Sequence, residues 1–225
     1  MESVKYWYLR NHTIFDALTD DDYKQLEWLV AFKTCTKHEF IYFPEDEVRK
    51  VYFVKRGNVK LGYYDDDGNE ILLDVLKEND IFGQLGLEEN NSNHGFAMAM
   101  GNDTVLCNFN VSEFEAMLKT RPMLAVNYSK QVGKQQMTVS RRYSSLLFKD
   151  ARTRLVQFFR EWAEEEAKGV TQNIVLKNYL TQQEIAALNG LARQTTARIL
   201  GELKEQNLLD VRRREVLIPS IELLK

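Results

Sequence analysis

The chain has 225 residues, 44% of them hydrophobic and 28% charged, which sets it among globular proteins of one or two domains. Its formal net charge of −3 conceals a division: residues 1–120 carry 12 basic and 22 acidic side chains, residues 121–147 carry 5 and none, and residues 148–225 carry 13 and 11, so an anionic partner is expected at the C-terminal end. Two cysteines in no CxxC pattern, Cys35 and Cys107, exclude a four-cysteine zinc or iron–sulfur site within one chain, and no apolar run approaches the ~20 residues of a membrane-spanning helix.

The N-terminal stretch MESVKYWYLRNHTIF lacks the apolar core of a signal peptide, so the cytoplasm is the expected location and no membrane contact is expected. Phe15, Leu18, Leu26, Leu29 and Val30 among acids predict one or two short amphipathic helices, with Thr19 as an N-cap. From about residue 34 to 110, strand-like runs alternate with turn signals: FIYF, KVYFVKRG, NVKLGYY, ILLDVL, GFAMAM and VLCNF. Asp67-Gly68 predicts a hairpin, because glycine takes the positive φ that the turn requires. Many short strands spaced this way predict a small antiparallel roll or barrel. VSEFEAMLKT then reads as a helix with Ser112 as its N-cap and Glu115 completing a capping box.

Pro122 suits the first turn of a helix, and the run to about 147 reads as one long helix. Ala125, Tyr128, Val132, Gln136, Val139, Tyr143 and Leu146 recur at steps of three and four, a heptad-like seam with one polar member. A narrow apolar stripe on a basic helix predicts a helical partner, and a parallel homodimer is the economical one; packing of the stripe on the chain's own roll is the alternative. Gly133 is the weak point of this helix by propensity. Residues 148–168 form a further helical pattern with Leu155, Val156, Phe158, Phe159 and Trp162 on its core side, and Gly169 is placed to end it.

The last 46 residues carry the most chemistry. Thr181 and Glu184 form a capping box ahead of a short helix with Ile185, Ala186 and Leu188, and Asn189-Gly190 breaks it. A second helix from about 192 to 206 turns Ile199, Leu200 and Leu203 inward. Two short helices about a glycine-containing turn predict a helix-turn-helix, followed by a small hairpin wing. Such a unit presents the first turn of its second helix to the DNA major groove. The side chains there are Arg193, Gln194, Thr195, Thr196 and Arg198; arginine bonds bidentately to guanine and glutamine to adenine. Arg212, Arg213 and Arg214 on the wing suit phosphates. His12, His38 and His94 are scattered, so no metal site is expected, and no Ser-His-Asp or Cys-His arrangement points to an enzyme.

Residues 12–220 resemble the CRP/FNR superfamily of bacterial transcription regulators. The matching stretches are FVKRGNVKL…DDDGNEILLDVLKENDIFGQLGL and LTQQEIAALNGLARQTTARILGELKEQNLL, the latter carrying the family's R-E-T-x-x-R face as Arg193, Gln194, Thr195 and Arg198. The resemblance implies an α+β chain: an N-terminal antiparallel β-roll of the cyclic-nucleotide-binding jelly-roll kind at 1–120, a dimerisation helix at 121–147, and a winged helix-turn-helix at 148–225. It implies a homodimer on double-stranded DNA, with RNA polymerase as a protein partner. Gln194 departs from the glutamate common in nucleotide-responsive members. The family's phosphate-binding cassette, F-x-G-E-L and then R-S/T, aligns with Phe82-Gly83-Gln84-Leu85 and His94-Gly95. Gln84 replaces the ribose-binding glutamate, His94 the phosphate-binding arginine, and Gly95 the supporting hydroxyl. Val139 and Ser140 align with the polar pair that reads adenine. Loss of an arginine–phosphate pair removes one of the stronger interactions in such a site, so the expected effector is not cyclic AMP; it is an unknown small molecule or none, and no cofactor is expected. The alternatives are a cyclic-nucleotide-responsive regulator with a degenerate cassette, and a ligand-binding sensor module without DNA function.

Overall fold

The computed structural model describes residues 9, 10, 12–43, 49–83, 95–167 and 169–224, without the side chains of Glu27 and Trp28. The chain divides into two compact units, residues 1–137 and 138–225. The first is built on two antiparallel four-stranded sheets. One runs in the order β1 (Ala31–Cys35), β8 (Thr104–Asn110), β3 (Lys50–Arg56), β6 (Ile81–Gly83); the other in the order β2 (Phe40–Tyr42), β7 (Phe96–Ala99), β4 (Val59–Tyr64), β5 (Glu70–Leu76). This is the predicted antiparallel roll.

Strand β3 is buried on both faces, which is why KVYFVKR reads as a continuous apolar run. Tyr52 and Val54 turn between the sheets to meet Tyr42, Val59, Phe82, Ala97 and Leu106. Val51 and Phe53, one residue out of phase, face the helices. Those helices are α1 (Asp20–Leu29), α2 (Val111–Thr120) and the start of α3 (Pro122–Phe148). Thr19 caps α1 through a full capping box with Asp22. The β4–β5 hairpin turns where Asp67-Gly68 predicts it, with Gly68 at φ 79° and the Asp65 carboxylate accepting from the Asp67 and Asn69 amides. Ser112 is not the N-cap of α2. Strand β8 runs straight into the helix at Asn110, and the Val111 amide is bound by the Arg49 carbonyl, so Ser112 already lies in the first turn.

The seam expected along α3 divides. Tyr128 is buried against Phe114 and Val132 packs on the same cluster, so this part of the stripe belongs to the roll's own core. Val139, Tyr143 and Leu146 remain exposed, as does Gln136. The helix passes through Gly133 without interruption. In the second unit, α4 (Ala151–Glu166), capped by Asp150, is followed by a strand absent from the sequence reading, β9 (Gln172–Lys177). Helices α5 (Gln182–Leu188) and α6 (Arg193–Glu205) follow, then β10 (Asp210–Val211) and β11 (Glu215–Ser220). The third sheet has the order β10-β11-β9.

His12 is fully buried between Phe15 and Phe53. Its Nδ1 accepts from the Ile14 amide and its Nε2 has no partner among the described residues. Burial, and then the nearby Lys55 charge, push its pKa down to about 3. The unfolded chain protonates this histidine near pH 6.5, so between the two values the unfolded state holds the extra proton. The stability tied to neutral His12 is therefore complete above about pH 6.5 and falls by about 1.4 kcal/mol per pH unit below it. Denaturant unfolding of the native chain and of His12→Asn, compared between pH 4 and 7, is expected to give a pH slope smaller by about one proton in the variant. Equal slopes would show that His12 does not fold in its neutral form.

Candidate nucleic-acid interface

The second unit is organised about the turn between α5 and α6. Thr181 opens α5: its hydroxyl accepts from the Glu184 amide at 3.2 Å, and the Glu184 carboxylate accepts from the Thr181 amide at 2.7 Å. The helix ends at Asn189, and Gly190 follows at φ 60°. The backbone angle favours glycine, and a Cβ there would lie 2.5 Å from Cδ2 of Leu146, so that side chain would have to turn aside. Arg154, in the first turns of α4, holds this turn by its carbonyls. Its Nε donates to Asn189 O at 3.0 Å, its Nη2 to Gly190 O at 3.4 Å, and its Nη1 to Lys149 O at 2.9 Å. A cation at the carboxyl end of α5 also complements the helix dipole.

Helix α6 buries Thr196, Ile199, Leu200 and Leu203, the i, i+3, i+4, i+7 face. Arg193, Gln194 and Arg198 stand exposed and Thr195 is half-buried. Thr196 does not join them: it is fully buried and its hydroxyl has no partner among the described residues. Its place in the helix period, not its residue type, decides the matter. Arg193 carries no ion pair among the described residues, whereas Arg198 is bound to Glu202 one turn later.

The wing is fixed by Asn178, whose Nδ2 donates to Arg212 O at 2.7 Å while its amide donates to Arg214 O at 2.9 Å. Its three arginines differ. The Arg212 fork is occupied by Asp210 at 2.9 Å and Glu215 at 2.8 Å. Arg213 and Arg214 are exposed and without an ion pair among the described residues. Burial alone would raise the Asp210 carboxyl, but bonds from Arg212 and Lys204 outweigh it and hold it below the usual carboxylate range. The sequence reading missed β9 and these acids; the Ile174–Val175–Leu176 run was the signal for the strand.

Of the residues expected to line an effector pocket, Gly83 ends β6 at φ 92°, where a Cβ would lie 2.4 Å from Lys50 O, and Gly95 precedes β7. Gln84, Leu85 and His94 lie outside the described residues. Val139 and Ser140 are exposed on α3, in the second unit. Among the described residues no group of histidine, cysteine, aspartate or glutamate is placed to hold a metal ion, and no helix is long and apolar enough to cross a membrane.

Residues 32–121 match the cyclic nucleotide-binding domain family and residues 153–225 the Crp-like helix-turn-helix domain family. The chain is 30% identical over 191 residues to a global nitrogen regulator of Nostoc, covering 83% of this chain and 84% of that one. It is 25% identical to the cAMP-activated global transcriptional regulator CRP of Pasteurella multocida, over 86% of this chain and 93% of that one. Among solved structures, a CooA mutant from Carboxydothermus hydrogenoformans is similar with a TM-score of 0.77 and 26% identity, covering 95% and 94% of the two chains.

Proposed function

Because the chain belongs to the CRP/FNR superfamily and is a transcription regulator of that type, we propose that residues 1–120 form its effector domain, 121–147 its dimerisation helix and 148–225 its DNA-reading domain. The observation that carries this is one face of α6 on which Arg193, Gln194 and Arg198 are exposed and Thr195 half-buried, beside a wing whose Arg213 and Arg214 have no ion pair among the described residues. In this reading Arg193, Gln194 and Arg198 address base edges. Arg213 and Arg214 take phosphates, which position the protein without specifying sequence. Arg212, already held by two carboxylates, instead shapes the wing. RNA polymerase is the protein partner that family membership supplies.

Gln194 sets the departure from relatives with glutamate at this position. Glutamate accepts from cytosine N4, whereas glutamine bonds adenine at two points. Selection from randomised duplexes is expected to show Gln194→Glu exchanging adenine for cytosine at one position of each half-site, by about 1–3 kcal/mol. The same base preferred by both proteins would remove Gln194 from the readout.

Because the roll takes Tyr128 and Val132, in this reading the dimer contact along the first half of α3 uses the opposite stripe. Met123, Val126, Lys130, Gly133 and Met137 repeat at three and four on the face turned away from the roll, and Met123 and Met137 are 56% and 67% exposed. The same spacing continues at Ser140, Ser144 and Leu147. Gly133 has nothing within 4 Å of its Cβ position, which suits close approach of a second helix. A second copy places two recognition helices in successive major grooves, ~34 Å apart. Met137→Asp is expected to sediment as a folded monomer and to lose at least about tenfold in operator affinity; a stable dimer at micromolar concentration would refute the stripe.

The effector of this reading is not cyclic AMP, because Gln84, His94 and Gly95 leave no arginine or hydroxyl at the positions aligned with the phosphate site. Neutral histidine is a weak substitute for a guanidinium. Calorimetric titration of the purified dimer with cyclic AMP is expected to give no saturable heat, and micromolar binding would overturn that assignment.

A further inference from the structure

Arg198 stands on the exposed face of α6, but its guanidinium is already engaged. Its Nη1 donates to Oε1 of Glu202 on the same helix. The other oxygen of that carboxylate lies 3.7 Å from Nη1 of Arg152, in the first turn of α4. Nη2 of Arg152 donates in turn to Oε1 of Gln206, the C-cap of α6. One carboxylate thus bridges two arginines, one on the recognition helix and one on the helix behind it. The Arg198 and Glu202 side chains are 65% and 39% exposed, and ion pairs so exposed contribute little to stability. Their consequence lies in what they do to Arg198.

We propose that Glu202 is a positioning residue that sets DNA sequence discrimination through Arg198. The proposal rests on the reading that Arg198 faces the bases. A guanidinium is a rigid plane of five donors, so binding one edge to Glu202 fixes the direction of the others and prepares a bidentate contact with guanine. The same carboxylate offsets the charges of Arg198 and Arg152, which withholds them from phosphates. Phosphate attraction is the sequence-independent part of affinity. Glu202 therefore weakens attachment to any duplex while leaving the correct base pair well bound, and the ratio between the two rises.

Glu202→Gln keeps the size and the acceptor oxygen but removes the charge, and Glu202→Asp keeps the charge. Binding of each full-length dimer is measured by fluorescence anisotropy against the operator selected by the native protein and against a random-sequence duplex, over a series of salt concentrations. Glu202→Gln is expected to bind the random duplex more tightly, with a slope of log K on log salt steeper by about 1. Its operator-to-random ratio is expected to fall by about fivefold or more, and Glu202→Asp to restore most of it. An unchanged slope and ratio in Glu202→Gln would overturn the proposal. Arg198→Ala separates the two levels. If it binds the operator as well as the native protein does, the base-contact reading of Arg198 fails and the role of Glu202 with it. If it loses discrimination while Glu202→Gln does not, only the role of Glu202 fails.

Discussion

Tyr128 stands edge-on to Phe114, with ring centroids 5.2 Å apart, and that contact fixes how α3 is rotated against the roll. With Leu124 and Tyr128 in the core, Gln131 and Gln135 follow on the same side. Their amides donate to the carbonyls of Asn79 and Ile81 at 3.0 and 2.8 Å. The helix is thereby tied to the start of β6, the strand that ends at Gly83. A helix commits one face at a time, so the opposite stripe from Met123 to Met137 is turned to solvent by the same rotation. The exposure of that stripe is a consequence of what the roll takes, and not of any greater apolarity in the stripe.

The second unit depends on a similar economy at the helix-turn-helix turn. Helix ends leave carbonyls without partners, and a buried carbonyl needs a donor. Arg154 supplies three donors to three carbonyls, two in the turn and one at Lys149. Leu146 fills the space that a side chain on Gly190 would occupy. The orientation of α6 therefore rests on groups from the end of α3 and the start of α4 as well as on its own apolar face.

Much of this was legible in the sequence where a local rule has a single solution. The capping boxes at Thr19 and Thr181, the hairpin at Gly68 and the break at Gly190 each follow from residues within a few positions of one another. The misreadings share the opposite property. A three–four repeat marks a helix face but does not say what covers it, so it leaves open whether a partner or the roll takes Tyr128 and Val132, and the roll claims both. Thr196 carries a hydroxyl in a polar run, and only the positions of Ile199, Leu200 and Leu203 reveal that it points inward. Strand β9 pairs with β11 some forty residues away, and Ser112 loses the cap because β8 runs on to Asn110. At the end of β6, Gly83 stands where a close backbone approach admits no other residue, a requirement set by β3 more than thirty residues away.

Charge is where sequence counting and geometry differ most usefully. Residues 121–225 carry 18 basic against 11 acidic side chains, a surplus that suggests a strongly cationic surface. In the fold five of these cations are held by carboxylates of the same chain: Arg212 and Lys204 by Asp210, Arg198 and Arg152 by Glu202, Arg160 by Glu164. Arg193, Arg213 and Arg214 are left exposed without an ion pair among the described residues. Phosphate attraction scales with the number of uncompensated cations, and base readout scales with how firmly a few donors are aimed. Internal pairing lowers the first and improves the second. A regulator must find one site among many similar duplexes, and for that task the ratio between correct and incorrect binding matters more than the affinity itself.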